Sequence, residues 1–293
     1  MSTLVTYNDT SRPEDLVAIV SNVSPTETPL LNKLSRGADA KQTLHEYLVD
    51  TFASSADNAA VEGAAFSAQT LTAPTRSKNV TQIFRNDIEV SGTEQVVSDP
   101  GQLPYQVSKK LKEHAKDIEK ALMAGSQASG GTSAARRMTG VINALTTNAT
   151  TMASGTTLTE TVYNNMLELV HGSTDIFPDM VFVGNRLKRQ ISSFTGGNTK
   201  NVDAAAKKLI SSVAIYEGDF GIQQIAIHRD VPNATAARSV VGINSMYHRL
   251  SFLRPTKIED IAKVGDSDRK MLVTEMTIEH TGEKTGFVLN GLQ

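Results

Sequence analysis

The sequence predicts an α+β chain, and three observations carry that prediction. A long amphipathic helix is written between Leu103 and Ala124. Strand-like alternation runs through residues 43–51 and 80–90 and returns near the C-terminus. Between these, from about residue 157 to 227, short helix and strand patterns follow one another as in a second α/β lobe. With 39% apolar residues and 20 glycines among 293 residues, the composition is that of a globular protein with a real core. The length suits one large domain or two ordinary ones.

Two short helix-like pieces open the chain. Pro13 and Glu14 form a first turn, and Leu16, Val17 and Val20 share a face. Thr28-Pro29 repeats helix-start chemistry, with a capping hydroxyl and then proline at the first helical position. Leu30, Leu31 and Leu34 follow, and Gly37 reads as the stop. Pieces of two or three turns are not stable alone in water. Leu16, Leu30, Leu31 and Leu34 therefore need a surface to lie on, in this chain or in a neighbour.

In the strand at 43–51, Leu44 and Leu48 take one face and Tyr47 and Val49 the other. In the strand at 80–90, Val80, Phe84, Ile88 and Val90 share a face opposite Thr81, Arg85, Asp87 and Glu89. Residues 52–75 between them are mostly small, with Phe52, Val61, Phe66 and Leu71 as the large apolar exceptions. A structureless loop of this length is unusual in a compact domain. Folded as a hairpin it would project on the order of 40 Å. It is either a loose surface loop or an arm that lies across another subunit.

The helix at 103–124 is preceded by Asp99-Pro100, has Pro104 in its first turn and ends at Gly125. Leu103, Val107, Leu111, Ala115, Ile118 and Leu122 make its predicted core stripe. Its lysines alternate with acids such as Glu113, Asp117 and Glu119, the pattern of a solvated face and not of a phosphate track. At about 1.5 Å per residue the helix is about 33 Å long, enough to serve as the spine of a domain.

From Gly125 to Thr157 the sequence turns small and polar, a connecting region and a candidate boundary between lobes. Thr157-Leu-Thr-Glu160 reads as a capping box, followed by a stripe of Val162, Met166, Leu169 and Val170. Met180–Val183 is a buried strand, and Asn185 is placed to cap the helix that follows. Residues 213–216 and 222–227 read as strands around the turn Glu217-Gly-Asp-Phe-Gly221. Leu272, Thr274, Met276 and Ile278 share a strand face, and Thr281-Gly-Glu-Lys284 predicts a C-terminal hairpin with Phe287-Val-Leu289.

The residues that would carry chemistry are sparse. The chain has no cysteine, which excludes disulfides, thiolate metal sites and cysteine nucleophiles. Thr281-Gly-Glu-Lys-Thr-Gly286 lacks the spacing of a phosphate-binding loop, and His45-Glu46 lacks the second histidine of a zinc-protease helix. His114, His171, His228, His248 and His280 are scattered singly, and Asp266-Ser-Asp268 is simpler as a turn than as a cation loop. No catalytic residue, cofactor or metal is therefore expected. The net charge of −2 lacks the basic excess of a dedicated nucleic-acid binder. No apolar run approaches a membrane span and no secretory signal is visible, so a soluble protein with no membrane association is expected.

Several segments, taken in order, carry a resemblance. Ser24-Pro-Thr-Glu-Thr-Pro-Leu-Leu-Asn-Lys-Leu34, His45-Glu-Tyr-Leu-Val-Asp50, Tyr216-Glu-Gly-Asp-Phe-Gly221, Leu253-Arg-Pro255, Ile261-Ala-Lys-Val-Gly-Asp-Ser-Asp268 and Glu275-Met-Thr-Ile-Glu279 are similar to elements of one family of tailed-bacteriophage major capsid proteins. The resemblance runs from about residue 16 to 292. Tyr47 departs from it, standing where the family often has tryptophan.

The resemblance implies the coat fold shared by tailed phages and herpesviruses. Residues 1–41 would be an N-terminal arm, 42–92 an extended β-hairpin loop, and 93–134 a peripheral domain with the long spine helix. Residues 135–250 would be the axial domain, and 251–293 the β-sheet of the peripheral domain. It implies a protein that is not an enzyme and assembles with itself into hexamers and pentamers around double-stranded DNA that it does not bind specifically. Portal, scaffolding and decoration proteins would be further partners, and the short arm leads to the expectation that no scaffolding domain is fused ahead of the fold. Assembly would take place in the host bacterial cytoplasm, with a nanocompartment shell of the same fold as the alternative. Leu16, Leu30, Leu31, Leu34, Phe52, Val61, Phe66 and Leu71 are the residues expected at subunit interfaces.

Overall fold

A computed structural model describes residues 27–66, 68, 71–97, 103–194, 215–235 and 237–293. The expected helix at Leu16 lies outside the described residues.

Three sheets organise the described residues. A four-stranded sheet has the order β1 (Ser35–Arg36), β10 (His248–Ile261), β11 (Ser267–His280) and β4 (Gln82–Ser91). β10, β11 and β4 are antiparallel neighbours, and β1 adds a two-residue parallel edge. A six-stranded mixed sheet has the order β5 (Ala149–Thr156), β12 (Phe287–Leu292), β9 (Arg238–Ile243), β6 (Met180–Val183), β8 (Gly221–Ile227) and β7 (Ile215–Gly218). The third is an antiparallel ribbon of β2 (Leu44–Val49) and β3 (Thr75–Val80).

The helices cover these sheets. They are α1 (Pro29–Lys33), α2 (Gly92–Val97), α3 (Leu103–Ala124), α4 (Val141–Ala144), α5 (Glu160–Ser173) and α6 (Asn185–Ile191). One core joins α1, α3 and α4 to both large sheets through Leu30, Ile118, Leu122, Phe182, Met276 and Val288. A second lies under α5 and α6 on the other face of the six-stranded sheet, around Tyr163, Leu167, Val181, Leu187, Phe287 and Leu289. Alternate residues of β6, and of β12 over Phe287–Leu289, enter opposite cores, so these stretches are apolar at every position.

The spine helix α3 spans the predicted residues, but its buried face is turned from the predicted stripe. Ile118 and Leu122 are inside with His114, Glu119 and Met123, whereas Leu111 is 45% exposed. The reason is polar: His114 bonds Thr274 and Asn86, and Glu119 bonds His228, so two hydrophilic side chains are satisfied indoors. In α5 the buried face is Tyr163, Met166, Leu167 and Val170, and Leu169 is left exposed. Its cap is Thr159, which accepts from the Val162 N–H, and not Thr157. Gly184 precedes α6, and Asn185 is its first residue.

Two further expectations are corrected. The stretch after Gly125 is not merely a connector, because Met138, Val141 and Leu145 are buried in the core shared by both large sheets. The Gly140 N–H donates to the Gly125 carbonyl at 2.8 Å, and a Cβ on Gly140 would lie 2.5 Å from the Gly125 nitrogen. Nor do β11 and β12 form a hairpin. After His280 the chain makes a 3-10 turn at Glu283–Thr285 and crosses into the six-stranded sheet, between β5 and β9. Glu283 fixes this crossing by accepting from the N–H groups of Thr146, at 2.6 Å, and Thr147, at 2.5 Å, and from both hydroxyls. Burial raises its pKa, but these donors outweigh burial and hold it below the ordinary carboxylate value.

Candidate functional site

The ribbon and its loop form the candidate site. The ladder pairs Leu44 with Val80 at one end and Val49 with Thr75 at the other. His45, Tyr47 and Val49 point towards the body of the protein, while Leu44 and Leu48 face solvent at 40% and 67% exposure.

Polar side chains clamp the root of the ribbon to the end of β11. Asn79, buried, donates to the carbonyls of Ile278 at 2.8 Å and Thr139 at 3.2 Å. Its side-chain oxygen accepts from the N–H groups of Val80 and Thr139, both at 2.9 Å. Two donors and two acceptor positions are thus all used, which fixes the amide orientation. His45 Nε2 lies 2.8 Å from Glu279, and the Tyr47 hydroxyl accepts from the His280 N–H at 3.0 Å. Burial raises the Tyr47 pKa above its ordinary value. Beside Asn79, the Thr81 hydroxyl donates to buried Glu275, which also takes Arg136 at 2.6 Å and Arg254 at 2.9 Å.

Beyond Val49 and Thr75 the ladder stops, and no strand forms among the described residues of the loop. A turn closes where the Ala64 N–H donates to the Val61 carbonyl, with Gly63 at φ +79°. Phe52, Val61, Phe66 and Leu71 are 104%, 82%, 94% and 92% exposed. Large apolar side chains in that state gain nothing from the chain's own core, and each leaves about 1.5–3 kcal/mol of burial free energy unused.

The other expected interface residues divide. Leu30 and Leu34 are buried in the chain's own core, and Leu31 packs against it. Leu30 and Leu34 therefore drop out as free interface residues: α1 found its surface within its own chain. The site gathers only the four loop residues. Sequence reading missed Leu44 and Leu48, whose alternation marked two faces without saying which was outward. It also missed Val96, Val97 and Val264, exposed at 88%, 78% and 67%, for which no sequence signal stood out.

The histidines are less scattered than their spacing suggested. His248 and His280 touch, and His45, His114 and His228 each bond a partner from a distant segment. No group of three His, Cys, Asp or Glu able to hold a metal occurs among the described residues. A cleft of about 560 Å³ beside α3 is lined by Lys116, Lys120, Arg229 and Asp230, with Glu119 and His228. These last two are committed to each other and to structural N–H groups.

This architecture has known relatives. The SU10 major capsid protein family model matches residues 1–293. A 125-residue stretch is 31% identical to the major capsid protein of Escherichia phage Phieco32, covering 41% of this chain and 35% of that protein. A subunit from the capsid asymmetric unit of cyanophage A-1(L) superposes with a TM-score of 0.75 at 14% identity, over 99% of both chains. The holo-SrpI encapsulin complex of Synechococcus elongatus gives a TM-score of 0.60 at 10% identity, over 100% of this chain and 97% of that one. The two superpositions establish the α+β coat fold that the resemblance implied. The match along its whole length establishes more: the chain belongs to the SU10 major capsid protein family.

Proposed function

We propose that this chain is the shell-forming subunit of a tailed-phage head, self-assembling into hexamers and pentamers that close an icosahedral or prolate container around double-stranded DNA. One observation carries the reading: four large apolar side chains stand in solvent beyond a ribbon whose root is locked in place. A second copy supplies the surface that they lack. Many modest contacts of this kind, repeated around a closed shell, add up to a stable particle.

In this reading residues 1–41 form the arm, 42–92 the extended loop, and 93–134 with most of 251–293 the peripheral domain around α3. Residues 135–250, with β12 added to their sheet, form the axial domain. The role is structural, without a catalytic step. DNA is enclosed without specific binding, in keeping with the net charge of −2. Portal, scaffolding and decoration proteins are the further partners, and assembly takes place in the host bacterial cytoplasm.

Negative-stain electron microscopy of the expressed protein tests this directly. Closed shells or capsomers are expected, and a monomer at high concentration would contradict it. The likeness to an encapsulin supports a second reading, a nanocompartment shell. Particles that co-purify with a protein cargo would favour it over the phage head.

A further inference from the structure

Three of the six histidines, His45, His248 and His280, gather where the ribbon leaves the four-stranded sheet. His248 and His280 are opposite residues of β10 and β11, with Nδ1 to Nδ1 at 2.9 Å and the rings edge to face at 71°. Both are buried.

The contacts fix which nitrogens carry protons. His280 Nε2 lies 3.2 Å from the Thr139 carbonyl, which can only accept, so His280 is protonated at Nε2. Its Nδ1 is then a bare acceptor, and His248 must donate to it from Nδ1. That leaves His248 Nε2 bare, and it has no partner among the described residues. Both rings are neutral in this arrangement. A proton added to His280 Nδ1 would set two N–H groups head to head. One added to His248 Nε2 would bury a charged donor with no acceptor.

His280 also holds the ribbon, and His248 reaches it only through His280. The backbone N–H of His280 bonds Tyr47, and the Thr139 carbonyl that receives its ring also receives Asn79. Titratable and charged groups next to the pair are His45 and Tyr47 on β2, which bond Glu279 and the His280 N–H, Glu279 on β11 with Arg249 opposite it on β10, and Tyr247, whose carbonyl takes the Thr281 N–H. Glu279 is the adjacent carboxylate, but strand alternation turns it to the opposite face of the sheet from His280. There it is engaged by His45 and by the Ser251 hydroxyl at 2.7 Å.

We propose that the His248–His280 pair is an acid-sensitive lock on the root of the ribbon, closed when both rings are neutral and released when either takes a proton. The lock acts on the ribbon proposed for assembly, but it is a property of the single chain and does not depend on what the loop docks against. Burial lowers both pKa values, that of His280 to about 4 and that of His248 well below the ordinary value. An opened junction returns the rings to an ordinary pKa near 6.5 and so binds more protons between about pH 6.5 and 4. The closed junction keeps its full stability above that window and loses it as the pH falls through it.

Hydrogen exchange of the full-length chain at pH 7.5 and pH 5.0, corrected for intrinsic rates, tests the lock. A single ring with a pKa of about 4 when closed and about 6.5 when open predicts a roughly 30-fold rise in opening of residues 44–49 and 75–80 at pH 5.0. The amides of α3 should keep their protection. A chain carrying both His248→Leu and His280→Gln, which leaves no ring to titrate at the junction, should lose most of the pH response even if its ribbon is looser at both values. Unchanged ribbon protection in the wild-type chain would overturn the proposal, as would equal loosening of α3.

Discussion

His228 Nε2 donates to the Glu119 carboxylate across 2.8 Å, with both side chains sealed from solvent. The Asp230 N–H occupies His228 Nδ1, which sets the tautomer that can donate. The same carboxylate accepts the N–H groups of Leu30, at 2.7 Å, and Leu31, at 2.8 Å. Glu119 thereby does for α1 what Thr28 does not, since the Thr28 side chain makes no cap bond. One buried side chain ties α3, the short helix α1 and the segment after β8.

Replacing Glu119 with glutamine should therefore cost about 3 kcal/mol. Glutamine brings one acceptor and one donor to a point where three donors converge. Denaturant unfolding reads the loss, and hydrogen exchange should show the Leu30 and Leu31 amides losing protection first. An unchanged midpoint would mean that the convergence does not stabilise the fold.

Two aspartate substitutions on α3 separate its observed face from the predicted stripe. Ile118→Asp puts a charge into the core and should destabilise by 4 kcal/mol or more, on the order of unfolding a marginal domain. Leu111→Asp lies on the half-exposed side and should cost about 1 kcal/mol or less. Circular dichroism melts of the two proteins check the difference. Equal losses would restore the stripe read from sequence.

The contrast shows what could be read in advance. The spine helix was legible because 22 residues of amphipathic pattern, ended by Gly125, leave little else for that segment to be. Its rotation was not, because His114 and Glu119 look like surface residues until partners from β4, β11 and the segment after β8 come into view. The path of β12 was hidden for a related reason. Thr281-Gly-Glu-Lys284 carries turn chemistry, and only Glu283 reaching back to Thr146 and Thr147 shows that the turn changes sheets. In Phe287-Val-Leu289, three apolar residues in a row, there was an unused hint of a strand buried on both faces. The loop was legible through its composition, whereas Leu30 and Leu34 look the same whether a helix docks at home or on a neighbour.

Close approaches give a third prediction. Gly242 faces Phe287 across β9 and β12, and an added Cβ would lie 2.3 Å from the ring. At Gly140 the obstacle is backbone of Gly125, which cannot rotate away. Gly242→Ala and Gly140→Ala should each cost about 1–3 kcal/mol through overpacking. Thermal unfolding checks both, and a neutral Gly140→Ala would show that the turn after α3 can shift.

The most direct measurement concerns the loop. A chain carrying Phe52→Ser, Val61→Ser, Phe66→Ser and Leu71→Ser should melt within about 0.5 kcal/mol of wild type, because those side chains touch no core of their own. Sedimentation velocity and electron microscopy of that chain should find folded subunits or capsomers and no closed particles. Shells at wild-type yield, or a large fall in the stability of the isolated chain, would contradict the account.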